Sequence, residues 1–188
     1  MNKLKSLTFS FLMHCTCCIA AQHMYQIDLL IFTVPQTSTV NYKNINQQNF
    51  TTPHNGLGNT KLITLSEQNA KLTPYHLLPT KFSAIKNEYR VLSHKPDYQI
   101  LINYTWLQPT NNQKSINIVT NNVLGWNING SLRIRRSKYY SFDTNLYLQN
   151  YNSGLTFKLE KKQRLKPGIA YYLDHPYAGI IIKIHQIA

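Results

Sequence analysis

Acidic residues are scarce in this chain, which has 7 Asp and Glu against 20 Lys and Arg among 188 residues. The formal net charge of +13 comes from missing acids, since charged residues make up only 14% of the chain. The acids are Asp28, Glu67, Glu88, Asp97, Asp143, Glu160 and Asp174. They are isolated from one another in the sequence, so the paired carboxylates of a glycoside hydrolase are not indicated.

Cysteine is confined to the first 21 residues. The three cysteines are Cys15, Cys17 and Cys18. The same segment has a basic start at Lys3 and Lys5 and an apolar stretch over residues 7–21 that ends in small residues. This pattern is typical of a secretory signal peptide, and the stretch is shorter than the roughly 20 residues that span a bilayer. We expect cleavage after Ala20 or Ala21, which leaves a mature chain without disulfides or thiol chemistry and with a net charge of +11, because only Lys3 and Lys5 are lost.

The remaining residues, 22–188, are expected to form a single periplasmic domain. Hydrophobic residues make up 43% of the chain, which excludes collagen-like, disordered and multi-span membrane classes. Residues 36–60 are rich in Asn, Gln and Thr and show no sustained period, so they predict a long, flexible surface loop. Residues 61–79 are expected to be irregular.

One strand and one helix are predicted before residue 96. Residues 25–34 carry apolar side chains on both parities, which predicts a strand buried on both faces along its second half. Thr80 is a suitable N-cap for a following helix, which Pro96 would end. The apolar face of that helix is expected to be Phe82, Ile85, Tyr89 and Leu92.

From residue 98 onward the apolar pattern alternates. The residues expected on one face of the first strand are Tyr98, Ile100, Ile102, Tyr104 and Trp106. In the hairpin that follows, Leu132 and Ile134 alternate with Arg133 and Arg135. These patterns predict consecutive antiparallel hairpins, and hence an α+β fold, mainly antiparallel β-sheet with one packed helix, after a cleaved signal peptide.

Three segments together resemble the CsiV family of periplasmic proteins: residues 89–109, 125–148 and 166–184. The most specific motif is Tyr-Leu-Asp-His-Pro at 172–176, followed by Gly179. The chain departs from the family pattern in its Asn-rich linker and in having Tyr98, rather than Trp, shortly before the strand. The resemblance implies a non-catalytic, cofactor-free peptidoglycan-binding protein. It also implies support of cell-wall assembly and cell shape, beside peptidoglycan synthases or their activators.

The residues themselves suggest a ligand-binding surface on the solvent side of the predicted hairpin. Its candidate residues are Arg133, Arg135, Tyr139 and Tyr147, with Arg136 and Lys138 at the turn. Guanidinium groups can bind stem-peptide carboxylates bidentately, and aromatic rings can stack on sugars. The alternative is that these residues are only the wet side of an amphipathic strand.

The basic residues are compatible with other partners. The run at 158–164 is either a solvated charged segment or an accessory contact to the wall or a partner. Nucleic acid is not expected, because the chain carries an export signal and no RNP, KH or helix-turn-helix pattern. An anionic membrane surface or lipopolysaccharide stays open as a partner.

Neither catalysis nor metal binding is predicted. Asp174 beside His175 could serve catalysis, but no nucleophile elbow or second acid accompanies them, and a structural role in the turn before the last strand is favoured. The histidines of the mature chain show no metal-ligand spacing. The alternative function is an adaptor that binds wall-synthesis proteins rather than the glycan, through strand edges or the loop at 36–60.

Overall fold

The computed structural model describes residues 23–35, 60–61, 63–64, 74–112 and 114–187. The predicted signal peptide lies outside the described residues, and so does the predicted loop apart from Thr60, which belongs to a strand.

The described residues form strands and two short helical segments. The first group of elements is β1 Met24–Thr33, β2 Thr60–Lys61, β3 Ile63–Thr64, β4 His76–Leu77, a 3₁₀ turn Thr80–Phe82 and α1 Lys86–Ser93. The second group is β5 Ile100–Pro109, β6 Ser115–Val123, β7 Trp126–Arg136, β8 Tyr140–Asn150, β9 Thr156–Leu165, β10 Ala170–Asp174 and β11 Ala178–Gln186. The predicted α+β class, mainly β-sheet with one α-helix, is confirmed.

The strands form two sheets. The six-stranded sheet has the order β10-β11-β1-β5-β4-β3, and the five-stranded sheet has the order β2-β6-β7-β8-β9. All the long strands pair antiparallel, whereas the two-residue strands β2 and β3 pair parallel with β6 and β4. The consecutive hairpins β6–β7–β8–β9 agree with the predicted alternation.

The two sheets pack face to face around one hydrophobic core. Buried side chains from both sheets belong to the same cluster, and Tyr25 on β1 meets Tyr140 on β8 edge to face with ring centroids 5.2 Å apart. On the other side of β1, Leu30 packs in a second cluster with Ile85 and Leu92 from the helical segment. Because β1 lies between the core and α1, both of its faces are buried from Tyr25 to Thr33, whereas the sequence predicts this only for the second half of the strand.

The helix begins later than the sequence predicts. Thr80 starts a 3₁₀ turn, and Ser83 then adopts an extended backbone with φ −64° and ψ 133°, so α1 begins only at Lys86. Its N-cap residue is Ile85, without a side-chain cap bond, so the prediction of Thr80 as N-cap is wrong.

The predicted apolar face of the helix is only half correct. Ile85 and Leu92 are buried, whereas Phe82 and Tyr89 are 44% and 40% exposed. Phe82 precedes α1, so helical spacing does not relate it to Leu92.

The predicted face of β5 is interrupted by a bulge. The pairing of β5 with β1 shifts by one residue at Leu101. Ile102 and Trp106 therefore point into the core between the sheets, whereas Tyr98 and Ile100 pack in the cluster beneath α1. The prediction that all of them share one face is wrong, because an extra residue in a bulge moves the side chains that precede it to the opposite face.

Candidate functional site

The outward side of the five-stranded sheet carries the predicted basic hairpin and the predicted basic run as one surface. Strand register places Arg133 on β7 opposite Asp143 on β8, and Asp143 opposite Lys162 on β9. In the same way, Tyr147 lies opposite Lys158. The outward cations, called the basic face below, are Arg133, Arg135, Lys158, Lys162 and Arg164.

Two acids lie within the basic face, and each pairs with a cation. Arg135 Nη2 donates to Asp143 Oδ2 at 2.5 Å, and Lys158 Nζ donates to Glu160 Oε2 at 2.6 Å. The second bond raises the pKa of Lys158 and lowers the pKa of Glu160, so both groups stay charged at neutral pH. Arg133 has no hydrogen-bonded acid within the described part of the chain, so the face retains surplus positive charge.

A shallow polar depression of about 250 Å³ lies in the middle of the basic face. Its lining residues are Ser115, Ser131, Arg133, Asp143, Thr144, Asn145, Glu160 and Lys162. The guanidinium of Arg133 and the ammonium of Lys162 can both donate to one carboxylate placed there, and the serine hydroxyls can bond to its neighbouring amide groups.

Two tyrosines border the basic face, and cations lie over their rings. The Arg164 guanidinium carbon is 4.3 Å from the ring centroid of Tyr139, and Lys158 Nζ is 5.9 Å from that of Tyr147. Cation–π contacts of this kind hold both partners in place. Tyr139 is 40% exposed, so part of its ring stays available to a ligand.

The remaining two predicted site residues lie away from this arrangement. Arg136 ends β7, and its guanidinium carbon lies 5.8 Å from the ring centroid of Tyr140, a buried core residue. Lys138 lies in the exposed turn between β7 and β8. The structure therefore brings together Arg133, Arg135, Tyr139 and Tyr147, and it adds Lys158, Lys162 and Arg164 from β9.

Sequence reasoning treated the β9 cations as a separate run. Lys158, Lys162 and Arg164 occupy even positions, whereas the buried residues Phe157, Leu159 and Leu165 occupy odd positions, and this alternation marks the cations as one face of a strand. That signal could have placed them on one side of β9, but not beside Arg133.

The motif at 172–176 organises aromatic rings on both sides of the six-stranded sheet. The Tyr172 hydroxyl donates to Asp174 Oδ1 at 2.8 Å. The His175 ring stacks on Phe157 of the other sheet with centroids 5.0 Å apart, and its Nδ1 accepts the Tyr177 N–H at 3.3 Å. Burial and the charge of Lys161 lower the pKa of His175. Asp174 and His175 thus serve different packing contacts, which supports the structural interpretation of the motif.

A second concave surface, which the sequence did not indicate, lies beside α1 on the opposite side of the molecule from the basic face. It is an open groove of about 510 Å³. Its lining residues are Phe32, Asn87, Glu88, Val91, Leu92, Tyr98, Tyr172 and Ile181. Strand β10 supplies one wall through Tyr172, and the helix supplies the other.

A buried carboxylate on β1 forms hydrogen bonds on the α1 side of the six-stranded sheet. Asp28 is completely buried and accepts hydrogen bonds from Gln26 Nε2 at 3.0 Å and Thr105 Oγ1 at 2.8 Å. Gln26 also donates to the Phe82 carbonyl at 2.8 Å, which fastens the 3₁₀ turn to β1. The arrangement is a structural network, remote from the basic face.

A family model described as "Peptidoglycan-binding protein, CsiV" matches residues 5–187. The chain belongs to the CsiV family. No match to a curated protein or to a solved structure was found. The family match covers all three segments on which the resemblance depends.

Two further findings on this CsiV protein concern metal ligands and membrane-spanning helices. No group of three or more potential metal ligands occurs within the described ranges. Within the same ranges, no helix reaches the length and hydropathy that crossing a bilayer requires.

Proposed function

We propose that this CsiV protein is a non-catalytic periplasmic protein that binds peptidoglycan and supports cell-wall assembly and cell shape. Membership of a peptidoglycan-binding family supports peptidoglycan as the ligand. The observation that carries the proposed site is the surplus of cations on the basic face, where two acids are already paired and Arg133 is not.

The chemistry of the wall matches this surface. Stem peptides carry carboxylates, and arginine binds a carboxylate through two parallel N–H donors. The depression between Arg133 and Lys162 would receive such a carboxylate, while Tyr139 and Tyr147 lie at the border of the basic face. Binding requires no covalent step, so the protein would act by adhesion.

A second candidate function is an adaptor for wall-synthesis proteins. Strands β9 and β10 each have a paired neighbour on one side only within the described sheets. A free strand edge can accept a strand from a partner, with main-chain hydrogen bonds supplying affinity. The charged side chains of β9 disfavour such pairing, so β10 is the better edge for it.

Co-sedimentation with purified sacculi tests the main proposal. Residues 22–188, which contain every described element, would be mixed with sacculi at low and high salt. We expect pelleting that weakens as salt rises, because ions screen exposed charges. The variant Arg133→Ala/Arg135→Ala should lose most of the pelleting.

The matched control is Lys86→Ala/Arg90→Ala, which removes the same charge from exposed positions on α1, on the other side of the molecule. Equal loss in both variants would indicate a net-charge effect and contradict a site on the basic face. If the wild type stays in the supernatant at both salts, direct wall binding fails and the adaptor becomes the leading function. Vesicles with anionic lipid in place of sacculi would test the membrane-surface alternative.

A further inference from the structure

The helix α1 leaves part of the six-stranded sheet uncovered. Its eight residues give a length of about 12 Å, and the cluster beneath it comes from β1, the start of β5 and Ile181 on β11. Beyond it, towards the edge strand β10, the sheet face forms the open groove of about 510 Å³. That volume lies within the range of about 300–1,000 Å³ that small-molecule sites occupy.

The outer wall of the groove is an aromatic ring that is exposed yet held in place. Tyr172 is 55% exposed, its ring stacks on Phe32 at an interplanar angle of 15°, and its hydroxyl is bonded to Asp174. Partial burial and this hydrogen bond raise the pKa of Tyr172 to about 12, so the hydroxyl stays protonated and keeps donating. A ring that is already ordered loses little conformational freedom when a ligand stacks on it.

Gly179 makes this arrangement possible. A Cβ at position 179 would lie 2.5 Å from the Phe32 ring and 2.8 Å from the Tyr172 ring. Both rings therefore pack down onto the backbone of β11, and the groove floor is aromatic. Tyr98 continues the floor, with its ring centroid 5.9 Å from that of Phe32.

The polar groups of the groove are acceptors and an amide. Asn87 and Glu88 lie on the helix wall, and Asp174 lies behind Tyr172. No Lys or Arg belongs to the groove lining in the described part of this strongly basic chain, and the nearest ammonium group to a lining ring is Lys95 Nζ, 5.3 Å from the ring centroid of Tyr98. The groove therefore suits a neutral ligand with hydroxyl and amide donors, and not the carboxylates that suit the basic face.

We propose that this groove binds the sugar backbone of peptidoglycan, a neutral strand of N-acetylated amino sugars. The apolar faces of the sugar rings stack on Tyr172 and Tyr98, and their hydroxyl and acetamido groups bond to Asn87 and Glu88. This inference rests on the proposed function, and it adds a second site on the opposite side of the two packed sheets. One molecule can then hold glycan on one side and stem peptides on the other.

The test uses two neutral probes without stem peptides: chitotetraose and chitohexaose. Binding is measured by calorimetry at low and high salt. We expect saturable binding that is insensitive to salt and that weakens at least about tenfold in Tyr172→Ala, the loss typical of removing a central aromatic contact. The matched control is Tyr151→Ala, at a tyrosine of similar exposure, 57%, in the turn after β8.

Several outcomes would overturn the inference. If the wild type binds neither neutral probe, the groove is not a glycan site, and sacculus pelleting then shows independently whether the proposed function survives. Equal weakening in Tyr172→Ala and Tyr151→Ala would also contradict it. If Tyr172→Ala does not fold, Asn87→Ala, at an exposed position on α1, tests the groove instead. We then expect this variant to bind both neutral probes more weakly than the wild type. Arg133→Ala/Arg135→Ala should bind both neutral probes as the wild type does.

Discussion

Asp143 lies directly opposite Arg133 in the pairing of β7 with β8, yet its carboxylate accepts a hydrogen bond from Arg135. The ion pair is therefore diagonal across the hairpin. It neutralises Arg135 and leaves Arg133 directed to the polar depression. Two arginines that look equivalent in the sequence thus differ in their availability to a ligand.

Single substitutions should separate these two arginines. We expect Arg133→Ala to weaken binding to sacculi by about tenfold, since one hydrogen bond to a charged group contributes at least about 1.5 kcal/mol. Arg135→Ala should weaken it less, because Asp143 already occupies that guanidinium. Quantitative pelleting at fixed salt measures both. A larger effect of Arg135→Ala would mean that the diagonal pair opens when the ligand binds.

The close approach at Gly179 predicts a packing defect. Gly179→Ala should lower the free energy of unfolding by about 1–3 kcal/mol, the usual cost of forcing extra volume into a packed site, because the new Cβ would overlap two rings. Urea denaturation measures the change. In the double variant Gly179→Ala/Tyr172→Ala, the loss caused by the alanine at 179 should be smaller. Strict additivity of the two changes would show that Tyr172 does not press on this position.

The lowered pKa of His175 predicts a pH dependence of stability. The unfolded chain protonates this ring near its ordinary pKa of 6.5, whereas the folded chain resists protonation because the ring is partly buried near Lys161. Below pH 6.5 the unfolded state binds more protons, so the free energy of unfolding should fall as the pH decreases, until the folded-state pKa is passed.

Thermal unfolding between pH 7.5 and pH 5 measures this effect. The variant His175→Phe keeps a ring on Phe157 and removes the titrating group. Its melting temperature should change less over this range than that of the wild type. An unchanged slope in the variant would assign the pH dependence to other groups.

The buried carboxylate of Asp28 predicts a large stability effect without a direct effect on wall binding. Asp28→Ala leaves the Gln26 amide and the Thr105 hydroxyl without this acceptor, at about 1–3 kcal/mol for each unsatisfied buried group. Asp28→Asn keeps one carbonyl acceptor and should cost less. The exposed Asp97→Ala serves as the control and should be nearly neutral.

The folded fraction of Asp28→Ala should bind sacculi as the wild type does, because Asp28 is completely buried and lines neither the polar depression nor the groove beside α1. Loss of pelleting at temperatures where the variant is fully folded would contradict a purely structural role. Circular dichroism on the same samples measures the folded fraction.

Local patterns predicted the strands well and their exceptions poorly. Alternation placed Leu132 and Ile134 inside and Arg133 and Arg135 outside, because a strand has only two faces and one of them must be buried. The same rule failed at Leu101, where a bulge adds one residue and reverses the faces before it. The capping and spacing rules for helices also failed, because they start the helix at Thr80. The extended backbone of Ser83 separates the 3₁₀ turn from α1.

By itself, the sequence determined the excess of positive charge of this CsiV protein, its mainly antiparallel class and the sides of β7 and β8 that face water. These follow from periodicity and composition, which are local properties. Only the tertiary structure decided that the β9 cations lie beside Arg133, that Asp143 binds Arg135 and that Tyr172 stacks on Phe32 over Gly179. Such contacts join residues far apart in the chain, and they depend on strand order and register, which result from packing the whole core at once.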